Sequence, residues 1–303
     1  TEHAGKSVAA SPAVPVVLHP GAVMDKRATE WTSKWTIQGS LSPSFGLALG
    51  KLKVLALAEA ADVEPLSVQQ VVKADKSLRR TSSLGADWLA AGTVSDLPSE
   101  DQLQFTDLLN NIVVKLQLPA QGLLNLMAVI PKPGDSGERL VAKMPMHLRI
   151  LFKARRWHIA EWESAHSAFW DSAVAGSSAL RAAILRAYRL EAATAVGAAA
   201  CVAMLDIEKF FDSIDPEILL DCLLELGFPP LSLFLHLMAH WAPRVIQHQG
   251  VVSQTILVSR SILAGCTSSG TLAKGYLYKV CQQLHSKMPM IKIRTFVDDL
   301  VLY

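Results

Sequence analysis

The chain has 303 residues, half of them apolar and 18% charged, a globular composition long enough for one large domain or two ordinary ones. Its 29 Lys and Arg stand against 27 Asp and Glu, so global charge gives no case for a nucleic-acid partner, and any such case must rest on local clustering. No apolar run approaches the ~18 residues of a membrane span, so no membrane span is expected, and no signal peptide is read in these residues. The four cysteines, Cys201, Cys222, Cys266 and Cys281, show no CxxC spacing. They predict reduced, mostly buried thiols in an intracellular protein of the nucleus or cytoplasm. Thr1 and Tyr303 both look like cut ends, so a piece of a longer chain is expected.

In chain order, residues 1–20 read as a loose, Ala/Val/Pro-rich lead-in. "AGKS" at 4–7 lacks the glycine that a phosphate-binding loop would need, and is read as chance. From Phe45 to Val114 apolar residues recur near a helical period, with Ser99 as a candidate cap and Glu100 and Asp101 near the helix start. "LLNLMAVIPKPGDSGERLVAKM", 123–144, reads as a hairpin around a Pro/Gly-rich tip. A basic helix over 147–162 and an alanine-rich helix over about 178–195 follow. "ACVAML", 200–205, reads as a compact buried strand that delivers Asp206 at its end. "DPEILLDCLLELGF" predicts a helix with Asp215 as cap, Pro216 in the first turn and Gly227 as the stop. Residues 244–263 read as a hairpin, 268–287 as a long helix, and "IKIRTFVDDLVLY" as strand, turn, strand.

Two aspartate constellations carry the chemistry. "MLDIEKFFDSID" places Asp206 at the end of an apolar strand, with Asp212 and Asp215 beyond it; Asp215 is read as a helix cap. Asp298 and Asp299 sit inside "RTFVDDLVLY". There they are either a hairpin tip in water or half of a metal site, because a carboxylate in an apolar setting is normally paired or metal-bound. Two strands bringing carboxylates to one rim can hold two divalent cations, and Mg2+ suits such hard oxygen donors. Residues 132–156 hold seven basic side chains against Asp135 and Glu138. Lys132 and Arg139 flank the hairpin tip, where they could meet a phosphate tail. Lys153, Arg155 and Arg156 are either part of that basic set or a solvated helix face.

The stretches "VIPKPGDSGERL", "LDIEKFFDSID" and "FVDDLVLY", in this order and spacing, resemble reverse transcriptases, and most closely the non-LTR retroelement and group II intron type. The resemblance covers about residues 123–303. It implies an α+β right-hand polymerase: a mainly helical N-terminal extension over 1–122, fingers over 123–200, and an antiparallel palm sheet packed on helices over 201–303, with no thumb. It implies RNA-templated DNA synthesis from dNTPs on a nucleic-acid primer, no membrane, and further domains in a longer chain. It implies two Mg2+, or Mn2+, ions held by Asp206, Ile207, Asp298 and Asp299, with Lys132 and Arg139 on the triphosphate. Phe211 would stack under the sugar and block a 2′-hydroxyl, although strand alternation puts one of Phe210 and Phe211 in the core. Gly265, Ser268 and Ser269 would touch template and nucleotide. That loop departs from the family's Gly-x-x-Gln-Gly, with Ser268 in place of Gln and Ser269 in place of the second Gly. The family's Arg-Pro-Ile is "RLV" at 139–141. The alternatives are an inactive palm-like scaffold binding RNA or protein, and an RNA-directed RNA polymerase, against which Phe211 argues.

Overall fold

The structure, a computed structural model, describes residues 19–37, 41–132, 134, 137–174, 176–198, 201–297 and 299–303. Five helices come first: α1 (Pro20–Trp35), α2 (Pro43–Asp62), α3 (Val68–Lys76), the short α4 (Thr93–Asp96) and α5 (Ser99–Lys115). The Ser42 hydroxyl accepts from the Phe45 N–H at the start of α2, and Ser67 and Gln70 close a capping box on α3. Ser99 is the first residue inside α5 and Pro98 takes the cap position, a one-residue correction to the sequence reading.

The hairpin expected at 123–144 forms as β1 (Asn125–Pro131) and β2 (Glu138–Lys143), paired from Leu126 opposite Lys143 to Pro131 opposite Glu138. The basic segment breaks at Arg155 into α6 (Met146–Ala154) and α7 (Arg156–Ala165). The alanine-rich helix is α8 (Ala179–Ala195). Then follow β3 (Ala203–Asp206), the single turn α9 (Phe210–Ser213), α10 (Pro216–Glu225), α11 (Pro230–His240), β4 (Arg244–His248), β5 (Val251–Val252), α12 (Ser269–Lys287), β6 (Ile293–Phe296) and β7 (Asp299–Leu302). The start of α10 follows its sequence: Asp215 Oδ1 accepts from the N–H groups of Glu217 and Ile218, and Gly227 ends the segment at φ 64°.

The strands form two small sheets. One is four-stranded in the order β2-β1-β4-β5, with β1 and β4 parallel; the other is three-stranded and antiparallel, in the order β3-β7-β6. A continuous apolar core runs from Met24 in α1 to Ala273 in α12. Gly275 lets α12 press onto α10, since a Cβ there would stand 2.3 Å from Leu223 Cδ2. No helix among the described residues is long and apolar enough to cross a membrane.

One expectation about burial fails. β3 is exposed at all four positions, with Met204 69% and Leu205 47% exposed. It is an edge strand that pairs with β7 alone, so its apolar composition does not place it inside. Cys201, just before it, is also exposed, whereas Cys222, Cys266 and Cys281 are buried.

The core holds two neutral imidazoles. Burial draws His236 down to about 4 and His240 well below its ordinary value. His236 stacks on Phe152, ring centres 4.0 Å apart, and its Nδ1–H donates to the Ser232 carbonyl at 2.6 Å. The native state therefore binds fewer protons than the unfolded chain between about pH 4 and about 6.5, and stability falls as pH drops through that window. For His236 alone the loss reaches about 3 kcal/mol by pH 4. Melting temperatures from pH 7 to pH 4 should fall, and fall less steeply in His236→Gln; equal slopes would assign the acid loss elsewhere.

Candidate functional site

The hairpin β6–β7 and the edge strand β3 bring the two aspartate constellations together. In the antiparallel register Asp206 lies directly opposite Asp299, and Asp299 directly opposite Phe296. Residues paired across an antiparallel sheet project from the same face, so both carboxylates stand on one face at one rim. Asp298 lies outside the described residues. Arg294, Met204 and Val301 share the carboxylate face by alternation, while Ile293 and Thr295 on the other face are buried, with Ile293 in a cluster with Trp170 and Cys281.

Asp206 and Asp299 are both exposed, and among the described residues neither has an ion-pair partner. Like charges directly opposite one another destabilise a strand pair. The pair is therefore retained against a local cost. Two carboxylates offering only oxygen atoms fit a hard divalent cation such as Mg2+, which takes one or two protein carboxylates and completes its shell with water or phosphate. No group of three His, Cys, Asp or Glu side chains is arranged for a metal among the described residues.

A cavity of about 590 Å³ opens beside the rim, between the sheet and α8. Asp206, Asp299 and Phe296 line it together with Arg181, Arg186, Arg189 and Arg294. Sequence reading missed these arginines, because α8 showed only as an alanine-rich helix. The available signal was three arginines within nine residues ahead of the strand that ends in Asp206.

The other expected site residues lie elsewhere. Lys132 and Arg139 are exposed on the β1–β2 hairpin, where the Lys132 N–H donates to the Gly137 carbonyl at 2.8 Å; neither lines the cavity. Arg155 is buried and donates to the Glu64 carbonyl at 3.2 Å, and Arg156 pairs with Glu163 at 2.5 Å, so both serve the fold. Gly265, at φ 113°, is exposed, and the Ala142 N–H of β2 bonds the carbonyl of its neighbour Ala264. Ser268 and Ser269 are buried; the Ser269 hydroxyl bonds the Leu263 carbonyl, and the Ser268 hydroxyl has no partner among the described residues.

After Asp206 the chain passes a half-buried Ile207 and bends sharply at Lys209, which takes the left-handed conformation at φ 50°. The bend opens α9. Phe210 is buried, whereas Phe211 is half-buried against the core and does not line the cavity. Asp212 is anchored by α1: the Trp35 indole N–H donates to Asp212 Oδ1 at 2.7 Å, and the fully buried Arg244 lies over the Trp35 ring at 4.4 Å. Arg244 also donates to Ser261 Oγ at 2.9 Å and to the His240 carbonyl at 3.2 Å. Burial pushes the Asp212 carboxyl up against the Trp35 hydrogen bond and Arg244, and draws Arg244 down to about 9.

The family model described as reverse transcriptase (RNA-dependent DNA polymerase) matches residues 130–303. A search of curated proteins returns no match.

Proposed function

The chain belongs to the reverse transcriptase family, over more than half its length, and from that premise we propose that residues 123–303 carry the fingers and palm of an RNA-directed DNA polymerase, of the non-LTR or group II intron type. The observation that carries the reading is the register that sets Asp206 opposite Asp299. In this reading Asp206, Asp299 and Asp298, with Ile207 beside them, would hold Mg2+ or Mn2+. When bound, the metal lowers the cost of charge on the attacking and leaving oxygens of phosphoryl transfer. The carboxylates fix that charge at the rim, where the 3′ end of a primer and the α-phosphate of a dNTP would meet. Phe211, one bend beyond Asp206, would set the sugar, and Gly265, Ser268 and Ser269 the template side.

Extension of a DNA primer on an RNA template, with Mg2+ and again with EDTA, tests the reading. The proposal expects extension with Mg2+ alone; none under any metal condition would sink it. A second reading, an inactive palm-like scaffold, is favoured by the burial of Ser268 and Ser269, which are withdrawn from solvent. The same assay divides the two.

The resemblance gives Lys132 and Arg139 to the triphosphate. Arg139→Ala is then expected to raise KM for dNTP about tenfold with kcat little changed, since a uniform binding contact is removed. Steady-state kinetics decide this, and an unchanged KM would leave the phosphate tail to other cations.

A further inference from the structure

We propose that Trp35, the last residue of α1, is a positioning residue for the nucleotide sugar: its indole N–H holds Asp212 and thereby fixes the turn α9 that carries Phe211. Phe211 meets the sugar in the polymerase reading, and the proposal rests on that reading. Phe211 and Asp212 are neighbours in one helical turn, so an anchor on the second constrains the first. The anchor is the 2.7 Å hydrogen bond from Trp35 Nε1 to Asp212 Oδ1, between side chains 177 positions apart. The Trp35 carbonyl closes a ring with the same turn. It accepts from the N–H groups of Ser259 and Arg260 at 3.0 and 2.9 Å, and Arg260 Nε–H donates to the Ser213 carbonyl at 3.2 Å. The Ile262 N–H donates to the Phe211 carbonyl at 2.9 Å, and the Ser261 N–H to the Ile214 carbonyl at 3.0 Å. Residues 260–262 thus hold the backbone of the turn, and α1 holds its one carboxylate.

Packing alone does not require this arrangement. Trp35 is fully buried, and its ring carries the buried Arg244 guanidinium at 4.4 Å. Withdrawing a carboxylate, an indole N–H and a guanidinium from water costs desolvation that an apolar cluster of the same volume would avoid. What such a network supplies is one fixed geometry. The backbone just ahead of the turn is strained: Lys209 holds φ 50°, a left-handed conformation that a non-glycine residue keeps only where its surroundings impose it. That strain lies between Asp206 and Phe211, the metal residue and the sugar residue of the proposed site. The residues matched to the family begin at 130, so Trp35 lies outside them, and α1 contributes a support that they do not contain. Removing the indole N–H leaves the Asp212 carboxylate without that partner and frees the turn to shift the Phe211 ring. A misplacement of about 1 Å is enough to change how a site handles its substrate.

The test measures dNTP and rNTP incorporation on an RNA template by the 303-residue chain and takes their ratio, which does not depend on how much of a sample is folded. Trp35→Phe keeps an aromatic ring beneath Arg244 and removes the N–H donor. It should lower the dNTP/rNTP ratio by at least about threefold. In a Phe211→Val background the same change should move the ratio by less than about 1.5-fold, because both substitutions act through one ring. Asp212→Ala should lower the ratio as Trp35→Phe does. Asp212→Asn, whose amide carbonyl still accepts from the indole, should stay within about twofold of the wild type. These two variants carry the comparison should Trp35→Phe fail to fold. A lower melting temperature with an unaltered ratio in Trp35→Phe and Asp212→Ala would make the bond purely structural and overturn the proposal. An equal loss in Asp212→Asn, or a full effect of Trp35→Phe on top of Phe211→Val, would overturn it as well. A wild type that extends no primer removes the polymerase reading and this proposal with it, whereas extension with an unaltered ratio in the variants overturns the proposal alone.

Discussion

Asp206→Asn is expected to lower RNA-templated dNTP incorporation by about a thousandfold or more, the rate equivalent of the several kcal/mol that a lost metal site withdraws from the transition state. The same change should leave the fold intact or slightly more stable. Asp206 is exposed and stands opposite Asp299, so neutralising it removes a cross-strand repulsion of roughly 0.2–1 kcal/mol. Primer extension and thermal melting together check the pair of effects. A purely structural Asp206 would give the reverse, a lower melting temperature with incorporation in proportion to folded protein. Adding Mg2+ should raise the wild-type melting temperature and leave that of Asp206→Asn where it was, since only the former gains a ligand on folding.

Phe211→Val is expected to raise ribonucleotide incorporation relative to dNTP by at least about tenfold, the scale on which a pocket senses a few missing carbon atoms. Its half-buried ring packs against the core, so the change also costs stability, though less than the ~3–5 kcal/mol of a fully buried Phe truncated to Ala. The dNTP/rNTP ratio and the melting temperature separate the two effects. A lower melting temperature with an unaltered ratio would make Phe211 a packing residue and remove the main argument for a DNA product.

Local features of the fold were legible where short-range chemistry decides them. Asp215, Pro216 and Gly227 announce α10, and the Pro/Gly-rich tip announces β1–β2. The terminal hairpin was legible from the apolar runs on either side of Asp298 and Asp299, and Asp299 opens its second strand. What failed depends on partners distant in sequence. The parallel pairing of β1 with β4 joins residues more than a hundred positions apart and leaves no local trace. Helix α1 went unread because its apolar residues Met24, Ala28, Trp31 and Trp35 are few, and Trp35 finds Asp212 and Arg244 only through the tertiary fold. β3 misled because an apolar edge strand and an apolar core strand have the same composition.

The candidate site was read in the same uneven way. Asp206 and the terminal aspartates stood out as charges inside apolar strands, and the register now sets Asp206 against Asp299. Lys132 and Arg139 were read from the Pro- and Gly-rich tip between them, a local signal, whereas the arginines lining the cavity, on α8 and β6, carry no such local signal. Ser268 and Ser269 were placed by motif position alone, and motif position carries no information about burial.

The claim that the rim carboxylates hold a catalytic divalent cation is tested most directly by titrating Mn2+ into the chain, with a dNTP present, and following the free-ion signal by electron paramagnetic resonance. The wild type should take up Mn2+, and Asp206→Asn and Asp299→Asn should each weaken uptake by at least about tenfold. Equal uptake by all three proteins would contradict the account.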